Sequence, residues 1–261
     1  MIPALLTRPQ LEIINRRTLR YPLQTAEKDY FQAVVLQIIL ESTIASKIVF
    51  KGGTAIYHCY LDQYRFSEDL DFSSTEPSTS LQDVRNIFDG FPFLTIKKDF
   101  TSNATIKIEK LQYTGTLQLP NSLKVEIDRL QNVLLPPRSM KYNNVWGLDF
   151  DVNVMDIREI GAEKIRAMSD RARYRDFYDL FWLIEKYKLD LPELISYIPQ
   201  KEIRRPITKT NILRNWEVVR TQRVTEMNQI FYSQKVDDEL IKILIDNLPF
   251  SEIASVIQTV E

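Results

Sequence analysis

The chain has almost none of two residue types that carry much of protein chemistry. Its 261 residues include one cysteine, Cys59, and one histidine, His58. A single thiol cannot close an internal disulfide or build a cysteine zinc site, and it suits a reducing compartment. A single imidazole removes any route through a histidine cluster. No apolar run is long enough to span a bilayer and no secretory leader pattern is present, so a soluble cytoplasmic protein without a membrane partner is expected. The formal net charge is −1, so the whole-molecule field announces no nucleic-acid partner, although a local basic patch remains allowed. Glycine is scarce too. Of six glycines, Gly52 and Gly53 are adjacent, and such a concentration points to a close backbone approach there. What remains is ordinary: 44% hydrophobic and 26% charged residues, enough for one large domain or two small ones with ample core.

The glycine pair lies in Lys51-Gly52-Gly53-Thr54, and a helix-sized gap later comes Arg65-Phe66-Ser67-Glu68-Asp69-Leu70-Asp71-Phe72. In a strand, residues i and i+2 share a face. Asp69 and Asp71 therefore aim their carboxylates at one point while Leu70 and Phe72 anchor the strand. Adjacent like charges repel, and a divalent oxygen-seeking cation relieves them. This is the pattern expected of nucleotidyl transfer, in which metal ions clamp phosphate, attacking hydroxyl and leaving group. An exposed acidic strand face would give the same Asp-x-Asp. A second Asp-x-Asp, Asp149-Phe150-Asp151, has no glycine turn before it and reads as a solvated strand face.

Apolar spacing predicts a long buried helix over Thr25–Ser46, a strand over Lys47–Lys51, and a helix from Thr54 to Leu61. Ser67–Ser73 is the acidic strand, and Ser78–Asp89 a helix capped by Ser78 or Ser80. Candidate strands follow over Phe93–Phe100, Thr105–Tyr113, Leu117–Leu119, Ser122–Arg129 and Asp149–Val154. From Ile157 the pattern turns helical, over Ile157–Ser169, Tyr174–Lys188 and onward, broken near Pro192, Pro199, Pro206 and Pro249. The expected organisation is α+β: a mixed-sheet half over residues 1–155 and an all-helical half over 156–261.

Further site candidates follow from this layout. Lys124-Val125-Glu126-Ile127-Asp128 alternates, so Glu126 and Asp128 share a face. Either could be a third carboxylate; Glu126, flanked by Val125 and Ile127, is preferred, with Asp128 next, and each could equally be a surface charge. Gly52, Gly53 and Thr54 precede a helix, where free amides and the Thr54 hydroxyl would meet a phosphate; a tight turn with Thr54 as cap explains them as well. Lys164 lies at the apolar stripe of its helix and needs a partner, with a triphosphate as one candidate. Asp176 and Asp179 fall on one helix face among apolar residues and want cations from Lys164, Arg171 or Arg175, or Arg175 and Asp179 pair locally. Arg65 and Ser67 are placed to touch base or phosphates. His58 reads as a helix-face residue and Cys59 as packing.

Four of these pieces in order, Lys51–Ile56, Arg65–Phe72, Lys164–Ala167 and Arg175–Leu180, resemble the AbiEii/AbiGii family of nucleotidyltransferase toxins, a branch of the DNA polymerase β-like superfamily. The resemblance implies a nucleotidyltransferase core and a helical domain, with the NTP held between them. It implies magnesium, or manganese in its place, on Asp69 and Asp71, with Glu126 as the loosest match for a third ligand. Lys51, Gly52, Gly53, Thr54, Arg65, Ser67 and Lys164 would serve the nucleotide, and Asp176 or Asp179 would complete the site. It further implies the toxin half of a bacterial toxin–antitoxin or phage-defence pair, a cognate antitoxin as partner, and an RNA acceptor such as a tRNA end. Basic residues over Lys164–Arg175 and Lys201–Arg223, with Trp216 as a stacking surface, fit an RNA partner, as does a plain solvated helix face. A protein or small-molecule hydroxyl is the competing acceptor, and a non-catalytic binding module the third reading.

Overall fold

The computed structural model describes residues 4–76, 78–229 and 231–257, with backbone alone over 222–229. Two compact units emerge. One comprises the chain up to Cys59 with Phe66–Val133 and Pro137–Val154; the other takes Tyr60–Arg65, Leu134–Pro136 and the chain from Met155.

The first unit contains α1 (Arg8–Arg17), α2 (Leu23–Leu40), β1 (Ile48–Lys51), α3 (Gly52–Ala55), β2 (Asp69–Ser74), α4 (Leu81–Phe88), β3 (Leu94–Thr101), β4 (Thr105–Thr114), β5 (Pro120–Asp128), β6 (Arg138–Lys141) and β7 (Asp151–Val154). Its strands form one seven-stranded sheet in the order β3-β4-β5-β2-β1-β7-β6. The sheet is mixed: β2 runs parallel to β5 and β1 to β7, while the other neighbours are antiparallel. Alternation sorts its faces. Leu70, Phe72, Ile106, Ile108, Val125 and Ile127 are buried on one side, where α2 and α4 pack. Each such side chain contributes about 1.5–3 kcal/mol by leaving water. The ring of Phe31 on α2 stacks on Tyr113 of β4, centroids 4.0 Å apart.

Helix α2 is buried almost all round, as its composition implies. It stops at Leu40, short of Ser46, because the Ser42 hydroxyl bonds the Ile39 carbonyl at 2.6 Å and competes with the next helical turn. Leu117–Leu119 is not a strand. Gln118 has a positive φ, and the Leu117 amide donates to the buried Glu27 carboxylate at 2.8 Å instead of to a ladder. Strand β6, Arg138-Ser139-Met140-Lys141, has no apolar alternation to betray it and joins the sheet by pairing with β7.

The second unit contains α5 (Ile157–Asp170), α6 (Tyr174–Tyr187), α7 (Leu191–Tyr197), β8 (Ile207–Thr208), α8 (Lys209–Gln229), α9 (Asp238–Asp246) and β9 (Glu252–Ile253). It is helical but not all-helical, since β8 and β9 pair antiparallel. Pro206 and Pro249 stop helices from running through these segments. Ile160, Ile165, Phe177, Leu180, Leu183, Trp216 and Ile241 form its core. Within it Glu159 of α5, fully buried, accepts the Leu134 and Leu135 amides, each at 3.0 Å. This explains why Leu134–Pro136 belongs to this unit. Lys201 neutralises Glu159 and also meets Glu163 at 2.9 Å.

Removing one partner of a buried ion pair strands the other charge. Lys201→Met should therefore lower the unfolding free energy by about 3–5 kcal/mol at pH 7. Adding Glu159→Gln should restore part of the loss. Urea denaturation measures both, and an unchanged midpoint in Lys201→Met would refute the assignment.

Candidate active site

Strand register gathers the charged residues of the sheet unit into rows. Lys51 lies opposite Asp71, Asp71 opposite Glu126, and Glu126 opposite Lys107. The row on one side sets Asp69 opposite Lys124, and the row on the other side sets Ser73 opposite Asp128. Two carboxylates thus lie side by side at the centre with a lysine at each end. Lys124 bonds Glu126 at 2.7 Å and reaches Asp69 at 3.9 Å, and Lys107 holds Glu126 at 2.9 Å. Asp128 meets Lys51 at 3.5 Å and accepts the Leu130 and Gln131 amides at 3.0 Å. It shapes the turn after β5 as much as it faces the site.

The glycine pair serves this carboxylate cluster. Gly52 has φ +80°, and a Cβ there would come within 2.6 Å of the Asp71 Oδ2, so only glycine lets the Asp71 carboxylate lie against the turn. The helix that follows is one α-turn, Gly52–Ala55, continued as a π-turn over Ile56–Tyr60, so its dipole is small. Lys51 is the cap residue. The buried Thr54 hydroxyl donates to the Asp69 carbonyl at 2.5 Å and so fixes β2, which leaves it no proton for a phosphate. The Ser67 carbonyl accepts from Gln32 on α2 at 2.9 Å.

Burial, then the neighbouring Asp69 and Glu126 charges, push the Asp71 carboxyl up to about 6, against Lys124 and Lys51. Glu126 shifts the other way: burial opposes ionisation, but its lysine hydrogen bonds prevail and lower its pKa. The donor set fits a hard cation such as magnesium, which uses one or two carboxylates beside waters and substrate oxygens. Asp69 and Asp71 face one way, and Lys124 and Lys51 relieve their repulsion only in part. Among the described residues no three acidic, histidine or cysteine side chains gather to hold a metal, and Glu126 spends its oxygens on two ammonium groups.

The helical unit holds a second charged cluster. Lys164 lies 2.7 Å from Asp179 and 3.1 Å from Asp176. Arg65 clamps Asp179 through two bonds of 2.7 Å, and Arg171 holds Asp176 at 2.8 Å. Both aspartates are fully buried. Burial alone would raise their pKa values, but Arg65 and Lys164 on Asp179, and Lys164 and Arg171 on Asp176, hold both below the usual carboxylate range. Three cations thus meet two carboxylates. Arg65, expected at the base or phosphates, is engaged by Asp179. No signal in the sequence joins residues 114 positions apart.

Other expectations resolve differently. Trp216 is fully buried among Tyr174 and Phe177 and offers no stacking surface. In the stretch Lys201–Arg223, Lys201 is buried with Glu159, Arg204 and Arg220 pair with Glu202 and Glu217, and Lys209 caps the Asp246 carbonyl at 2.6 Å. Arg223 lies outside the residues whose side chains are described. Most of that positive charge is thus spent internally. Asp149 pairs with Lys141 on an exposed face and Asp151 is exposed. His58 is buried, its ring stacked on Tyr142 and its Nδ1 at 2.7 Å from the Asn143 carbonyl. Burial pushes the Cys59 thiol up to about 12. No helix among the described residues is long and apolar enough to cross a membrane.

A family model described as nucleotidyl transferase AbiEii toxin, type IV TA system, matches residues 34–246. No curated protein matches. Among solved structures the chain is similar to MenT4, a nucleotidyltransferase toxin from Mycobacterium tuberculosis H37Rv, with TM-score 0.59 and 21% identity over 82% of this chain and 72% of that one. It is also similar to JHP933 from Helicobacter pylori, with TM-score 0.53 and 19% identity over 86% and 93%, and to a putative nucleotidyltransferase from H. pylori, with TM-score 0.53 and 19% identity over 87% and 97%.

A carboxyl whose folded pKa lies above its unfolded value costs stability once ionised. For Asp71 that cost is absent below about pH 4 and develops as pH rises through about 6. Asp71→Asn should therefore stabilise the protein at pH 7 by on the order of 1 kcal/mol, after discounting for partial exposure. The gain should vanish near pH 4. Thermal melts across that range test it, and destabilisation at pH 7 would contradict the electrostatic account.

Proposed function

Because the chain belongs to the AbiEii family, the nucleotidyl transferase toxins of type IV toxin–antitoxin systems, we propose that it moves a nucleoside monophosphate from an NTP onto an RNA hydroxyl, with a tRNA end as one such acceptor. Growth arrest, as a toxin or in phage defence, would follow from that modification and be countered by a cognate antitoxin. The observation that carries the reading is the Asp69–Asp71 pair, two like charges aimed one way with Gly52 cut back to admit them.

Asp69 and Asp71 would hold magnesium, or manganese in its place. Bound there, the metal would neutralise phosphate charge and polarise the reacting phosphoryl group. The chain's own side chains do the rest. Lys51 and Lys124 flank the carboxylates and supply positive charge for the phosphates of the NTP. Glu126 orients Lys124 and Lys107. Thr54 pins β2 through the Asp69 carbonyl and so sets where the carboxylates point. In the helical unit Lys164 spends two N–H donors on Asp176 and Asp179, while Arg65 and Arg171 fix the two aspartates. The competing acceptor, a hydroxyl on a protein or small molecule, is favoured by one observation: the internal pairing of Lys201, Arg204 and Arg220.

Incubating the purified protein with magnesium, each α-labelled NTP in turn, and total bacterial RNA or protein separates the readings. Label should enter RNA, depend on magnesium, and disappear in Asp69→Ala. Label on protein alone would replace the acceptor; no transfer to either would end the catalytic claim. Gly52→Ala, which displaces Asp71, should cost at least about 100-fold in transfer rate with an unchanged circular dichroism spectrum. Wild-type rates in that variant would remove Asp71 from the mechanism.

A further inference from the structure

The polar face of the sheet does not end at the carboxylates. Phe100 on β3 lies opposite Lys107 on β4, which continues the row through Glu126 to Asp71. Four strands at the usual spacing put Phe100 about 14 Å from Asp71 along that row. Phe100 is on the edge strand and 48% exposed. Its neighbour Asp99 takes the other face, bound by Arg85 of α4 at 2.7 Å. A large exposed aromatic at the end of a charged row is not explained by packing.

The charges beside it are also unexplained by packing. Lys98 and Lys110 are direct cross-strand partners, an arrangement that costs stability because like charges face each other. They meet where β3 and β4 slip register on both sides of Lys98, and β4 is irregular again against β5 between Ile108 and Leu111. Glu109 answers Lys98. Lys97 and Lys110 are exposed and have no ion-pair partner among the described residues. Such bulges re-aim side chains, here on a stretch of strand where Lys97, Lys98 and Lys110 lie close in register to Phe100.

We propose that this outer half of the sheet face, from Lys97, Lys98, Lys110 and Phe100 inward past Lys107 and Lys124, is a docking track for single-stranded RNA that leads the acceptor end toward Asp69 and Asp71. It deepens the RNA-acceptor reading and rests on it. Lysines following a backbone with an aromatic ring for a base to stack on is the common plan of single-strand binding. A duplex keeps its bases stacked inside and has no use for Phe100. In the helical stretch Lys201, Arg204, Lys209 and Arg220 have partners within the chain, as Lys98, Lys107 and Lys124 do on the track, where Lys97 and Lys110 remain as the uncommitted charges beside Phe100.

Binding of a short fluorescein-labelled single-stranded RNA of mixed sequence, followed by anisotropy over a potassium chloride series, tests the track without requiring chemistry. Phe100→Ala should weaken binding roughly 5- to 100-fold, and Phe100→Trp should retain it. The double change Lys97→Ala/Lys110→Ala should flatten the log–log salt slope by about 1.4. A labelled duplex should be indifferent to Phe100→Ala. NTP affinity should stay at wild-type values in every variant, and the melting temperature should fall in none, rising slightly where Lys110→Ala relieves its repulsion with Lys98. Wild-type protein that ignores the RNA, or Phe100→Ala that binds like wild type, would overturn the proposal. Phe100-dependent RNA binding without nucleotide transfer to RNA would support the track and end the RNA-acceptor reading on which its purpose depends.

Discussion

Asp69 and Asp71 occupy one face of a central strand, and keeping both there dictates what every neighbouring strand carries. On one side β1 must end in a lysine and a glycine, because Lys51 lies opposite Asp71 and no Cβ fits where its carboxylate rests. On the other side β5 brings Lys124 against Asp69 and Glu126 against Asp71, and β4 adds Lys107 to hold Glu126. The buried face of the same strands, Leu70, Phe72, Val125 and Ile127, supplies the apolar stabilisation that offsets this concentration of like charge. Alternation lets one strand do both.

The two charged clusters behave in opposite ways, and the contrast separates their roles. Asp71 is pushed toward the protonated form by its burial first and then by the neighbouring Asp69 and Glu126 charges, which its lysines only partly offset. Asp176 and Asp179 are more deeply buried, yet they are held ionised because Arg65, Lys164 and Arg171 surround them. A carboxylate with a surplus of cations is a fixed anchor, and one with a deficit is suited to receive a cation from outside. On that reasoning, and under the proposed function, the helical cluster would orient Lys164 and the sheet cluster would take the metal.

Much of this was legible in the amino acids. The acidic strand, the glycine turn, the helices α5 and α6, and the sharing of a face by Glu126 and Asp128 all follow from periods of 2 and 3.6 residues. Local periodicity cannot name a partner far along the chain. It therefore left open which cation meets Asp179 and did not single out Arg65 as that cation. It also counted Lys201 and Trp216 as surface, because their burial depends on Glu159 and on the Tyr174–Phe177 cluster. Leu117–Leu119 misled for the same reason: its apolar residues look like a strand, but Glu27 of α2 claims the Leu117 amide. Tertiary hydrogen bonds overrode local pattern in each case.

The bulged outer strand has a consequence for the protein in solution. Strand β3 leaves one row of backbone amides and carbonyls without a neighbouring strand, which in a flat, apolar strand invites pairing with another chain. Here the irregular register around Lys98 and the ammonium groups of Lys97, Lys98 and Lys110 make a second copy a poor match in both shape and charge. At pH values where the lysines are ionised, two such edges repel. The same residues work against the addition of a further strand at the β3 edge, so this end of the sheet is a poor template for fibres.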